Sequence, residues 1–430
     1  RPDGTAPVAP SATAGATRAP LSLEQCLRLA AARSRRLELA ATRVEIAREE
    51  ATGSVAELLP RVDASGRMRL RDNNPGFAFP GGDTGFGSTF VAGDKEVPSA
   101  RVAAVVPIWD FGGAWNRIQA ARGRADVAEL AASRERQDLA LDASDAYFRV
   151  LEAQRLRQVV GESIAAVERQ LAQARDALAQ GIAAANEVLT VEVQLAERRE
   201  ELIRADNEVE VAKASLNRVI GRDVTAPLEL EDVSEAAPWA GGFEEALAAA
   251  IDRRPDLAEL RRAIEVARAE WRAARAGFAP KIYAFGEYDF QGDEYLLHQQ
   301  WFEGGVGIDI PIFEGGRTRT QLAAAEAAIV ASIARHDERV DDIVLEVKEA
   351  HLAVREALAR IPVARQAVAQ GEENLRVVRD QYGHGLLTSA EVLLEEDRLS
   401  RARASYFRAL YDEHRAFARL AHAMGGAPPR

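Results

Sequence analysis

The 430-residue chain carries a net charge of −12, is 47% hydrophobic but only 6% aromatic, and holds 84 alanines. So much alanine beside 28% charged residues describes long helices, not two or three ordinary globular cores. No window approaches 18 consecutive apolar residues, which excludes a transmembrane helix, and the acidic balance argues against nucleic acid as a partner.

Residues 1–20, rich in Pro, Ala and Thr, read as a flexible N-terminal segment. The chain starts at Arg1 without a charged-then-apolar leader, the start that a removed signal peptide would leave. The only cysteine, Cys26, sits in the amphipathic stretch Leu23-Glu24-Gln25-Cys26-Leu27 and reads as a buried small residue. A lone cysteine excludes an internal disulfide framework and a cysteine metal cage.

Residues 61–70 alternate strictly. Val62, Ala64, Gly66, Met68 and Leu70 take one face, and Arg61, Asp63, Ser65, Arg67 and Arg69 the other. Their partner strand, about 101–108, puts Val102, Ala104 and Val106 on the apolar face. Segments of this kind are either ordinary half-buried hairpins or strands of a membrane β-barrel. Residues 71–100 between them read as a long, polar, exposed loop, in which Gly81 to Gly87 lacks the helix of a phosphate loop and the acids of a calcium loop. Pro107 with Gly112-Gly113 marks the turn from strand into helix.

The helix predicted over 114–180 carries a heptad seam of Leu139, Ala143, Ala146, Val150, Ala153, Val160, Ile164, Val167, Leu171, Ala174 and Leu178, broken only by Arg157. That period specifies a left-handed supercoil, and a helix of this length spans roughly 100 Å. Gly181 then turns the chain into a second helix.

Everything then happens again. Leu23 to Leu27 matches Phe243 to Leu247 at an offset of 220 residues, and Leu59-Pro60-Arg61-Val62 matches Ala279-Pro280-Lys281-Ile282. Further on, Val106 to Asp110 matches Ile310 to Glu314 at an offset of 204, as Gly181 matches Gly385 and Glu187 matches Glu391. The difference places 16 extra residues between Pro60 and Pro107. Two halves of one duplicated domain fit better than a solenoid. The predicted plan is a first repeat over 21–220, a linker or equatorial segment over 221–242, a second repeat over 243–425 and a tail over 426–430. The second repeat has strands at about 281–290 and 301–312 and a long helix over 317–384. Four strands cannot close a barrel, so further copies of the chain are needed.

A duplicated helix–hairpin–long helix–helix unit resembles the TolC-like outer membrane efflux family over about residues 21–425. The resemblance rests on Arg253-Arg254-Pro255-Asp256-Leu257, on Pro311-Ile312-Phe313-Glu314-Gly315-Gly316, on Tyr382 through Leu394, and on the order and spacing of these marks. It implies a mainly α fold with a small β part: a long coiled-coil α-helical barrel crossing the periplasm, and four strands per chain completing a 12-stranded barrel in a homotrimer. It also implies outer membrane lipid around the strands and two protein partners, a periplasmic adaptor and an inner-membrane pump. Many members carry a lipidated N-terminal Cys. None stands here, so a non-lipidated chain, or one trimmed past that residue, is expected.

The resemblance places the periplasmic constriction at Tyr382 to Glu391, with Leu387, Glu391 and the repeat-one Glu187 as gate residues. Four residues apart, Leu387 and Glu391 are expected on one helix face, where three copies would make a leucine ring beside a carboxylate ring. Members with a basic residue at the place of Leu387 latch it to the repeat-one acid, here Glu187; with leucine there the latch is not expected. Glu395-Glu396-Asp397 reads as a solvated helix face. The six histidines show no zinc-protease spacing, and no nucleophile elbow, Walker loop or dinucleotide fingerprint occurs, so neither catalysis, cofactor nor bound metal is expected. The expected function is a passive exit duct of a tripartite efflux system. The alternatives are a soluble coiled-coil scaffold or periplasmic adaptor and, within the fold, a type I protein-secretion duct.

Overall fold

The computed structural model describes residues 20–79, 88–181, 184–233 and 241–426. The Gly81 to Gly87 stretch, residues 1–19 and residues 427–430 of the tail lie outside them. In chain order the elements are α1 (Leu23–Arg33), α2 (Arg35–Ser54), β1 (Arg61–Leu70), β2 (Gly76–Phe79), β3 (Ser88–Val91), β4 (Glu96–Trp109), α3 (Gly113–Ala179) and α4 (Ala185–Val219). Then follow α5 (Phe243–Arg253), α6 (Pro255–Ala276), β5 (Lys281–Gln291), β6 (Gln300–Asp309), α7 (Arg317–Gly383) and α8 (Ser389–Ala423). They divide into two compact units, one of Arg1–Leu39, Ser133–Arg254 and Asp341–Arg430, the other of Ala40–Ala132 and Pro255–Val340.

The first unit is built on the heptad seams of α3 and α7. Leu139, Ala143, Val150, Val167 and Ala174 of α3, and Ile343, Val347, Ala357 and Leu375 of α7, are all at most 4% exposed. Alanine at so many seam positions lets helix axes approach closely, which explains its abundance. Arg157 leaves the seam by turning its guanidinium to Asp206 of α4, 2.5 Å away. α7 runs on through Pro362, whose missing N–H leaves the Leu358 carbonyl without its helical donor.

The repeat is visible in the packing of the short helices. Cys26 and Ala246 are both fully buried, as are Ala30 and Ala250 one turn later. Burial pushes the Cys26 thiol up to about 11, so it is a packing residue and not a thiolate. Ser22 and Gln25 cap α1 reciprocally, and Leu21 pairs in parallel with Leu230. The buried Tyr147 hydroxyl donates to the Glu231 carbonyl at 2.5 Å, tying this segment to α3.

Helices α4 and α8 end alike. Gly221 and Gly425 have φ of 67° and 73°, and each is followed by a six-to-one hydrogen bond, Arg222 to Asn217 and Gly426 to Ala421. A Cβ on Gly221 would lie 2.7 Å from the Arg33 carbonyl oxygen, and one on Gly425 would lie 2.8 Å from the Arg253 carbonyl carbon. Gly221→Ala and Gly425→Ala are therefore each expected to cost at least about 1–2 kcal/mol from the left-handed backbone alone. A helical circular-dichroism melt checks this, and an unmoved midpoint in both would show that the neighbouring chain gives way.

In the second unit β1, β4, β5 and β6 form one antiparallel sheet in that order. β4 starts at Glu96, earlier than expected, and within the expected loop β2 and β3 pair as a short hairpin of their own. β6 ends at Asp309 instead of 312, because Pro311 has no N–H to give the ladder. Pro107 is accommodated in β4 by a register shift before Trp109. Phe111, Gly112, Gly315 and Gly316 all take positive φ, which makes the sharp strand-to-helix turns. At the other end Asp293 accepts the Asp94 N–H at 3.2 Å while Asp94 accepts the Glu294 N–H at 2.7 Å, so the two hairpin loops hold each other.

The register settles which side chains share a face. Val62 opposes Ala104, Val102 opposes Tyr288, and Tyr288 opposes Phe302, so each of the four strands contributes apolar residues to one common face. Val62, Met68, Phe302, Val306 and Ile308 are more than half exposed. On the other face Arg101 binds Glu287 and approaches Asp289 at 3.9 Å. None of the described helices is long and apolar enough to cross a membrane.

Candidate functional site

The two long helix pairs of the first unit turn at Gly181 and Gly385, both with φ of 73°. At the second turn Gly385 N–H bonds the Tyr382 carbonyl at 2.9 Å and Leu386 N–H bonds the Gln381 carbonyl at 3.0 Å, a Schellman closure. Thr388 is the N-cap of α8. Glu391, in the first turn and exposed, accepts the Thr388 N–H at 2.7 Å and the Thr388 hydroxyl at 3.0 Å.

This geometry corrects one expectation. Leu387 precedes the N-cap, so it does not share a helix face with Glu391. It is half-buried, and with Val392, which is 1% exposed, it occupies the positions that pair in a hydrophobic staple. The exposed leucine of the turn is its neighbour Leu386, at 74%. Sequence reasoning passed over Leu386 because the helix was taken to begin too early; the Thr388-x-x-Glu391 capping pattern was the signal available.

The first-repeat turn differs chemically. Alanines stand at 183 and 184 where the second repeat has Leu387 and Thr388, so α4 starts without a side-chain cap. Glu187, half-buried, instead acts on the end of α7. Burial and then the negative charge of Glu187 hold the Tyr382 hydroxyl above its ordinary pKa. The second repeat thus feels the charge of the first where Tyr382 comes near Glu187.

A second expectation fails at Glu395-Glu396-Asp397. Glu395 and Glu396 are 8% and 7% exposed. Glu395 accepts from Asn374 of α7 at 2.6 Å, Glu396 binds Arg379 of α7, and Asp397 accepts from Arg198 of α4 at 2.5 Å. Three successive residues on a helix point in three directions, and here each direction holds a partner. Leu393 adds the apolar part by packing among Val167, Leu171, Val188 and Val191 of the other repeat. The run that looks like a solvated face clamps α8 between α7 and α4.

Comparison with known proteins bears on what such turns and such a sheet belong to. The sequence profile of the outer membrane efflux proteins matches residues 26–222 and 246–426, one stretch in each repeat. Outer membrane protein TolC of Vibrio cholerae serotype O1 is 25% identical over 323 residues, 72% of this chain and 73% of the relative. The alkaline protease secretion protein AprF of Pseudomonas aeruginosa is 27% identical over 232 residues, 51% of this chain and only 47% of its own length. The CmeC outer membrane channel of Campylobacter jejuni has the same fold, with a TM-score of 0.81 over 94% of this chain and 86% of that one, at 15% identity. With both repeats matched in sequence and nearly the whole chain matched in fold, this protein belongs to the outer membrane efflux protein family, the channels of the Gram-negative outer membrane that carry a long periplasmic helical part.

Proposed function

We propose that three copies of the chain form the exit duct of a tripartite efflux system, passive in itself and gated where the long helices turn. The sheet is the observation that carries this reading. It is open at both edges and exposes apolar side chains along one face, which a chain acting alone in water has no reason to do. Closing that sheet with other copies buries the edges and turns the apolar face to lipid. The sequence has no nucleotide-binding loop, so a pump in the inner membrane supplies the energy and a periplasmic adaptor joins it to the duct. Glu391, Leu387 and Glu187 stand at the turns where the gate is placed.

Extraction tests this directly. The native protein is expected to require detergent and to have the mass of three chains within its micelle. A monodisperse protein in detergent-free buffer overturns the duct in favour of a soluble scaffold or adaptor. The likeness to AprF, a protease secretion protein, favours a second reading as a type I secretion duct. Deleting the gene selects it if an exported protein disappears from the medium while tolerance to toxic compounds is unchanged.

A further inference from the structure

The strand edges carry more information than the need for a partner. This inference rests on the trimeric barrel proposed above and concerns how one copy meets the next. β1 and β6 are the two unpaired edges of the sheet, and each is ten residues long. Three antiparallel steps separate them, so β6 of one copy can join β1 of the next as one more antiparallel pair.

The polar face has opposite signs at the two edges. Through the ladder Ser65–Arg101–Asp289–Trp301, the odd-numbered residues of β1 and β6 lie on the same side of the sheet. β1 puts Arg61, Arg67 and Arg69 there, with Asp63 bonded to Arg61 at 2.7 Å. β6 puts Glu303 and Asp309 there. Glu303 faces Glu287 across the β5–β6 pair, and Arg101 already binds Glu287. Among the described residues neither Arg67 nor Glu303 has an ion-pair partner, and both are exposed.

Antiparallel pairing of the two strands over their full length sets Asp309 against Arg61 and Gln300 against Leu70. That register places Glu303 opposite Arg67 and Trp301 opposite Arg69, while Phe302 meets Met68 and Ile308 meets Val62 on the apolar side. A slip of one residue would carry the charges to the apolar face. A slip of two in one direction sets Asp309 against Asp63; in the other, no arginine of β1 faces an acid. We propose that Arg67 and Glu303 form an ion pair between neighbouring copies that fixes the register of the β6–β1 seam.

Disulfide trapping tests it in intact outer membranes, in a Cys26→Ser background. Glu303→Cys is combined in turn with Ser65→Cys, Arg67→Cys and Arg69→Cys and oxidised. Directly opposed Cβ atoms lie about 4.5–5.5 Å apart against about 7–8 Å for diagonal neighbours. Covalent dimers and trimers are therefore expected with Cys at 67, several-fold above the other two pairs. A ladder strongest at 65 or 69 overturns the register and leaves the trimer standing. No ladder from a protein with the mass of three chains overturns the seam, and no ladder from one with the mass of a single chain overturns the trimer itself. Arg67→Glu and Glu303→Arg should each lower the temperature at which the trimer dissociates in SDS, and the double reversal should restore it. Failure to restore it shows that the two charges do not face each other.

Discussion

In planar bilayers, Glu391→Ala and Leu387→Ser channels are expected to pass a single-channel current several-fold larger than that of the parent protein. Both residues stand at the α7–α8 turn, where the proposed trimer would bring carboxylates and leucines close to one axis. The structure separates two contributions of Glu391. Its carboxylate supplies charge, and it also holds the start of α8 through Thr388 at 2.7 and 3.0 Å. Loss of such a cap costs about 0.5–2 kcal/mol. Glu391→Gln keeps an acceptor for Thr388 and removes the charge, so it should lower cation selectivity and leave the turn intact. Glu391→Ala should do both. Unchanged conductance in Glu391→Ala and Leu387→Ser would remove this turn from the constriction.

Charge placed on the apolar face of the sheet is expected to block insertion. Val306→Arg and Val102→Arg each put a cation where the proposed barrel meets hydrocarbon, at a cost of about 2–4 kcal/mol near the bilayer midplane. Ala103→Arg is one residue away but on the face that carries Arg101's ion pairs, and there the same side chain should be tolerated. Urea titration of folding into lipid vesicles measures the difference. Equal losses for Val102→Arg and Ala103→Arg would mean that neither face contacts lipid.

Much of the architecture was legible in the residues themselves. Two periods did the work: seven for α3 and α7, where seam residues such as Val150 and Val347 are fully buried, and two for the strands, where Val62 and Arg61 fall on opposite faces. The duplication was equally plain, because Cys26 and Ala246 occupy matching buried places. Less was legible at the turns. Leu387 and Glu391 look like helix neighbours at a spacing of four, and only the position of the N-cap at Thr388 separates them. Glu395 to Asp397 look solvated for a related reason. Three adjacent acids reveal nothing about burial until two other helices, α7 with Asn374 and Arg379 and α4 with Arg198, are brought against them.

Periodicity and repetition thus determined, without any structure, that this chain is a doubled helix–hairpin–helix unit with one apolar strand face. Local spacing is enough for that, since each period is a property of a single backbone conformation. Tertiary structure decided what each charge does. Whether a carboxylate clamps a neighbour or waits at an open strand edge depends on groups tens to hundreds of residues away, and no spacing along the chain encodes that.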